Sequence, residues 1–236
     1  TRYRVDIALT GSEGVTITIP AGAVADAAGN ENAETTFSIA VDNVGPTVTI
    51  SSSASSPTKM NPIPVTFTFS EAVTGFAMDD IAANNFTVTA QPSTEDNITF
   101  STTIAPAANG ELTIALKDAS VTDVAGNPLT NTGAFAITYD NVAPTLTIDG
   151  PNAVNTTDPF TLTLNFNEPI SGLTADNFTI AGAAPGTITA SSTSIYTVVL
   201  TPQEAGTISV TVKGFADLAG NANVDGVAKS ILFDNT

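Results

Sequence analysis

The sequence contains no cysteine, no histidine and no tryptophan. Without cysteine there are no disulfides, so packing alone must hold any core, and the redox compartment is left open. Lacking both cysteine and histidine, the chain cannot build the usual zinc centres, nor Ser-His-Asp or Cys-His nucleophilic catalysis. Lysine and arginine total 6 against 23 aspartates and glutamates, a net charge of −17. So little positive charge argues against nucleic acid and anionic membrane as partners, because both are held by basic patches. Charged residues make up only 12% of the chain, about half the usual share. No apolar run is long enough to span a bilayer and no signal peptide is recognisable, so no membrane insertion is expected and the sequence reads as excised from a longer chain.

What is present is repetition. The 236 residues allow about two domains and a remainder at ~100 residues each. Asp26-Ala27-Ala28-Gly29-Asn30 recurs as Asp123-Val124-Ala125-Gly126-Asn127 and as Asp217-Leu218-Ala219-Gly220-Asn221. Asp42-Asn43-Val44-Gly45-Pro46-Thr47 has a twin at Asp140-Asn141-Val142-Ala143-Pro144-Thr145 and a truncated copy at Asp234-Asn235-Thr236. Phe69-Ser70-Glu71 recurs as Phe166-Asn167-Glu168. These landmarks divide the chain into 1–43, the closing part of one repeat, and two complete repeats, 44–141 and 142–236.

Within each repeat, apolar residues alternate with threonine and serine, the period-2 signature of half-buried strands, and Gly, Pro, Asn and Asp punctuate the runs. The third repeat predicts seven strands, at 145–149, 160–166, 178–181, 186–190, 195–201, 207–212 and 227–233. The second predicts strands at 47–51, 65–69, 80–83, 86–90, 98–104, 112–116 and 133–139, with one helical turn near 78–81. The first supplies only the last three, at 3–9, 15–19 and 36–41, and its earlier strands are expected from outside the segment or from a neighbouring chain. The fold class expected from this pattern is all-β: tandem seven-strand β-sandwiches joined end to end as a rod, the immunoglobulin-like form of which is implied by the family resemblance described below. Phe67, Phe69, Val88, Ile114 and Phe135 are expected in one core, and Leu162, Leu164, Phe166, Val198, Ile208 and Val210 in the other.

Seven antiparallel strands start at one pole and finish at the other. That parity puts Glu71, Asp79 and Asp123 of the second repeat near Asp42 and Asn43, which close the first. It puts Glu168, Asp176 and Asp217 near Asp140 and Asn141 in the same way. Calcium takes six to eight oxygens from carboxylates, amide side chains and carbonyls, and these ten residues are the candidate ligands of two joint sites. Turn chemistry is the other reading, since Asp and Asn at strand ends often only cap turns. The Glu71/Asp79 and Glu168/Asp176 pairs could serve glycoside hydrolysis, yet the chain offers no tryptophan platform for a sugar. Asn85, Asn97, Asn155 and Asn177 match the N-glycosylation pattern, as Thr-rich sequences do by chance.

The run from Pro62 to Glu71, the Thr74 to Asp80 segment, the D-x-A-G-N loops and the D-N-x-x-P-T joints together resemble bacterial immunoglobulin-like (Big-type) repeats of very large cell-surface adhesins. Thr122 to Pro128 with Asp140-Asn141 is also similar to the calcium-binding loop and linker of cadherins, although the linker run is shortened. The resemblance implies an extracellular, non-enzymatic stalk or filament segment at a bacterial cell surface, stiffened by Ca2+ at its joints. Its partners would be neighbouring repeats of the same chain and other copies in a filament. A ligand-binding module for glycan or protein, or an accessory region of a secreted hydrolase, are the alternatives. A binding module should carry distinctive loops in one copy, whereas the two fuller copies are alike in length and landmarks.

Overall fold

A computed structural model describes residues 2–8, 11, 14–117 and 121–235. The described residues form nineteen short strands. The first segment holds β1 (Val15–Ile19) and β2 (Thr35–Ile39). The second repeat holds β3 (Val48–Ser51), β4 (Ile63–Phe69), β5 (Val73–Thr74), β6 (Ile81–Asn84), β7 (Phe86–Val88), β8 (Thr99–Pro106), β9 (Gly110–Leu116), β10 (Thr122–Asp123) and β11 (Phe135–Tyr139). The third holds β12 (Leu146–Asp149), β13 (Ala153–Val154), β14 (Phe160–Phe166), β15 (Phe178–Ala181), β16 (Ala183–Ala190), β17 (Ile195–Pro202), β18 (Gly206–Val212) and β19 (Val227–Phe233). The only helical pieces among the described residues are 3-10 turns at Met78–Asp80 and Ala175–Asn177.

In the second repeat, a sheet β3-β4-β8-β7 accompanies a sheet β11-β9-β6, with β5 and β10 paired as a small extra ribbon. In the third, sheet β12-β14-β17-β16 accompanies β13-β19-β18-β15. Among the described residues the strands pair antiparallel, except that β13 runs parallel to β19 and Thr58 makes an isolated parallel bridge to Tyr139 of β11. The alternating strands explain the layering. Phe160–Phe166 buries Leu162, Leu164 and Phe166 while its threonines point the other way, and Ile63–Phe69 does the same with Ile63, Val65, Phe67 and Phe69. Side-chain period 2 thus gives each strand one face for the core. The buried residues fall into two separate clusters, one per repeat.

Of the expected core residues, Phe67, Phe69, Ile114, Leu162, Leu164, Phe166, Val198, Ile208 and Val210 are buried. Val88 and Phe135 are only half-buried and pack at the margin of their cluster. Val88 ends the edge strand β7, which has a neighbour on one side only.

The first segment departs from expectation. Among the described residues two strands form there, not three. Residues 2–8 make no strand, and Leu9, the end of the expected run, lies outside the described residues. A strand persists only where a neighbour completes its hydrogen-bond ladder. The counterpart of residues 2–8 in the second repeat is β8, which lies between β4 and β7. Among the described residues no such flanking strands stand beside residues 2–8.

Candidate metal centre

The site is built from the end of one repeat and two elements of the next. Phe69 closes β4 in the core, and the two residues after it face the joint. The Thr47 N–H donates to Ser70 Oγ (3.0 Å), and the Ser70 N–H donates to the Thr47 carbonyl (3.0 Å). In the third repeat, the Thr145 N–H donates to Asn167 Oδ1 (2.7 Å), and the Asn167 N–H returns to the Thr145 carbonyl (3.2 Å). The Phe-Ser/Asn-Glu motif therefore has a division of labour. The aromatic ring anchors the strand, the polar residue clasps the linker, and the glutamate is delivered beside the joint. Rings pack edge-on beneath it: Phe69 meets Phe76 and Phe100 at 5.4 and 5.7 Å, and Phe166 meets Phe215 at 4.9 Å.

The D-x-A-G-N loops have one geometry in all three copies. The Asn127 N–H donates to Asp123 Oδ1 (2.8 Å) and its amide to Asp123 Oδ2 (2.7 Å). Asn221 treats Asp217 in the same way, at 2.8 and 2.8 Å, and Asn30 treats Asp26 at 2.9 and 2.9 Å. Gly29, Gly126 and Gly220 all have φ near +90°, the left-handed conformation that glycine takes without a Cβ penalty. Two residues before the aspartate, Val121 and Phe215 are fully buried and pin their loops to the core. Asp123 and Asp217 are themselves buried.

These pieces converge. Carboxylate oxygens of Asp42, Glu71 and Asp123 lie within 4.8 Å of one another, and those of Asp140, Glu168 and Asp217 form a second such group. Each group unites the aspartate of a D-N joint with a glutamate and an aspartate of the repeat that follows it. The same asparagines stitch the joints: the Asn127 amide donates to the Asp42 carbonyl (3.2 Å) and the Asn221 amide to the Asp140 carbonyl (2.9 Å). At the second joint, Lys59 Nζ also donates to the Gly220 carbonyl.

Crowding of like charge is visible in the acids. Burial pushes the Glu71 carboxyl up from its ordinary range, and the negative charges of Asp42 and Asp123 push it further. Burial likewise raises Glu168, with Asp140 and Asp217 adding to it. Burial also acts to raise Asp123, but the hydrogen bonds from Asn127 and the loop amides outweigh it and hold this carboxyl below its usual value. A group with three carboxylates, nearby carbonyls and no nitrogen or sulfur donor suits a hard, oxygen-seeking cation rather than zinc or copper.

Not all sequence candidates join these groups. Asp79 and Asp176 sit exposed in the 3-10 turns and are absent from both. In the first of those turns it is Asp80 that accepts the Ala77 N–H, at 2.7 Å. Asn43 and Asn141 are exposed beside the joint aspartates. Asn127, Asn221, Ser70 and Asn167 were not singled out from the sequence, although each is part of a motif that repeats. The Asn85 and Asn177 amides donate to the carbonyls of Ala108 and Lys213, at 3.0 Å each, as turn residues do.

A family model described as bacterial Ig-like domain matches residues 42–138 and again 140–233. The chain belongs to the bacterial Ig-like domain family. Both joint aspartates, Asp42 and Asp140, are the first residues of these domains by that division. No curated protein matches the chain. Among solved structures, the chain is similar to invasin, a bacterial integrin-binding protein, at 16% identity over 95% of this chain and 53% of that one, with a TM-score of 0.44. It is also similar to SGBP-B of a Bacteroides ovatus mixed-linkage glucan utilization locus, at 16% identity over 94% and 54%, with a TM-score of 0.24. This chain spans about half the length of each. No helix of the described Ig-like domains is long and apolar enough to cross a membrane.

Proposed function

We propose that this tandem of bacterial Ig-like domains is a structural spacer, part of the stalk of an extracellular bacterial adhesin or surface filament, with calcium at its interdomain joints. It works as a stiffened rod and not as an enzyme. Its immediate partners are the neighbouring repeats of the same chain, and other copies where stalks bundle into a filament.

One observation carries this reading: the same three-carboxylate group is built twice, each time from the aspartate of a D-N joint and two acids of the repeat that follows it. A turn account explains Asp123 and Asp217, which their own loops satisfy. It does not explain why Glu71 and Glu168 are brought against them at the cost of like-charge crowding. A divalent cation would relieve that repulsion and tie the two domains together. Asp42, Glu71 and Asp123 would hold it at the first joint, and Asp140, Glu168 and Asp217 at the second. Extracellular calcium modules bind at ~10⁻⁴ to 10⁻³ M, so calcium-rich surroundings keep such joints filled.

Small-angle scattering with and without a chelator, paired with calorimetric titration of calcium, tests the proposal. Chelation should shorten the maximum dimension and broaden the distance distribution while both domains stay folded. Asp140→Ala should do the same at the second joint alone. An unchanged maximum dimension together with no heat of calcium binding would leave these acids as turn residues only.

A further inference from the structure

The third domain has an apolar cleft of about 430 Å³ on the open side of its sandwich, a size typical of ligand sites. It lies between β15 and β16, the edge strands of the two sheets. Phe178 and Ile180 line it from β15, Pro185 and Ile188 from β16, and Val198 from β17, with Ala175 of the 3-10 turn beside them. None of its lining residues carries a polar side chain.

The second domain closes the same place with its own chain. Phe86 pairs with Pro106 as Ala183 pairs with Pro202, and Thr102 pairs with Val65 as Val198 pairs with Leu162. Phe86 is a buried ring where the third domain has only the methyl of Ala183. The Thr102 hydroxyl donates to the Ala90 carbonyl (2.5 Å), and the Met78 N–H donates to Gln91 Oε1 (3.3 Å). Those two bonds draw the segment after β7 over the gap. Val198 has no hydroxyl to make the first of them. β16 instead runs on to Ala190, with a register shift between Pro185 and Ile188. One copy thus carries a cleft that its neighbour fills.

The cleft lies beside unused hydrogen-bonding capacity. Just before β15, the Lys213 N–H donates to the Asn177 carbonyl (2.9 Å). Antiparallel alternation then gives Thr179 and Ala181 the bonds to β18, and turns the N–H and carbonyl of Ile180 outward. No strand borders that edge of β15 among the described residues. A strand added there sends every second side chain between the sheets, into the cleft. Acids flank the edge at both ends. Asp176 precedes β15, and Glu204 follows Gln203, whose N–H donates to the Gly182 carbonyl just past the strand (3.1 Å). Both acids are exposed, in a chain of net charge −17.

We propose that this cleft docks an extended peptide segment of a partner protein by strand addition to β15. The segment alternates apolar and small polar residues and carries basic residues at both ends. Backbone bonds to Ile180 set its register, one apolar side chain fills the space between Ile180 and Ile188, and its basic ends lie by Asp176 and Glu204. A fatty acid would offer the apolar chain but bring its carboxylate against those acids. The site is separate from the joints and does not depend on calcium there.

The probe is a blocked peptide of alternating threonine and valine with two lysines at each end, titrated into the full chain and followed by amide NMR. Shifts should be confined to β15, β16 and the 175–177 turn, and exchange of the Ile180 N–H should slow by about tenfold or more at saturation. Glutamates in place of the lysines should weaken binding by about fivefold or more at low salt. Ala175→Met with Ala183→Phe gives the third domain the side chains of the second and should abolish binding. Should that pair unfold the domain, Ala175→Met alone, at an exposed position, decides: it should weaken binding by about threefold or more. The proposal fails if the lysine peptide leaves β15 and β16 unshifted while the third domain is folded, if the folded filled variant binds as the parent does, or if the glutamate peptide binds equally well. It fails also if decanoate shifts the same amides more strongly than the peptide, for the cleft is then a site for small apolar molecules.

Discussion

Gly45 shows how closely the first joint is fitted. A Cβ built there would stand 1.8 Å from the Pro128 carbonyl oxygen, a distance no side chain tolerates. Overpacking against backbone costs about 1–3 kcal/mol, so Gly45→Ala should lower the urea midpoint of the second domain by that amount, whereas Ala143→Gly at the twin position should not. A different residue-scale device is Asp96. Its carboxylate accepts the N–H groups of Thr99 and Ile98, both at 2.8 Å, and that of these the Thr99 bond leads holds it below the ordinary carboxylate value. A depressed carboxyl stabilises the fold fully above its unfolded value, and the contribution is lost as pH falls through the folded one. Asp96→Asn should therefore leave a shallower acid limb for the second domain's melting temperature, and match the parent once pH is low enough to protonate both states. A melting temperature series across the acid range, with identical slopes for the two proteins, would contradict this.

At the scale of elements, the D-x-A-G-N loop is a clamp whose asparagine fixes the aspartate twice and, in Asn127 and Asn221, also reaches the carbonyl of the joint aspartate. Asn221→Ala keeps the backbone N–H bond to Asp217 but removes the side-chain amide's bonds to the buried Asp217 carboxylate and to the Asp140 carbonyl. Leaving a buried acceptor short of partners costs about 1–3 kcal/mol, which equilibrium unfolding of the third domain should register. Asn30→Ala, in an exposed loop, should cost far less. These elements also mark how far the sequence could be read. Strands 160–166, 178–181 and 227–233 coincide with β14, β15 and β19 because alternation and flanking turn residues agree there. The ribbon β5-β10 and the two-residue β13 were not legible, since a two-residue strand has no periodicity and exists only through its partner. Residues 2–8 show the converse: the alternation of Tyr3, Val5 and Ile7 is plain, yet no strand forms without a sheet to join. Strand parity brought the acids to the right pole. It could not separate Glu71 from Asp79, because that depends on which side chain turns inward after the strand ends.

For the whole molecule, two matched joints make a stoichiometric prediction. Calorimetry should find about two calcium ions per chain, and Glu71→Gln with Glu168→Gln should abolish both while the two domain melting transitions persist. Ligand linkage sets the scale: at a hundredfold excess over Kd, each site adds about 2.7 kcal/mol to the domains it joins. A chain whose domains melt at the same temperature with and without millimolar calcium would speak against sites of that strength.

The parallel pairing near each domain's exit has a consequence for a molecule held at both ends. Thr58 runs parallel to Tyr139, its N–H donating to the Thr138 carbonyl and its own carbonyl accepting from Asp140, both at 2.9 Å. β13 and β19 repeat the arrangement in the third domain, where the Leu232 and Asp234 N–H groups donate to the Asn152 and Val154 carbonyls. Tension enters near the start of each domain and leaves along its last strand, so it slides these two segments past one another. Hydrogen bonds lying across the pull then share the load and must rupture together, whereas a hairpin opened from its end gives way one bond at a time. Each domain thus carries a shear latch at its exit. Thr58→Pro, which removes one donor from that latch, should lower the force at which the second domain gives way in single-molecule pulling and leave the third domain's force unchanged.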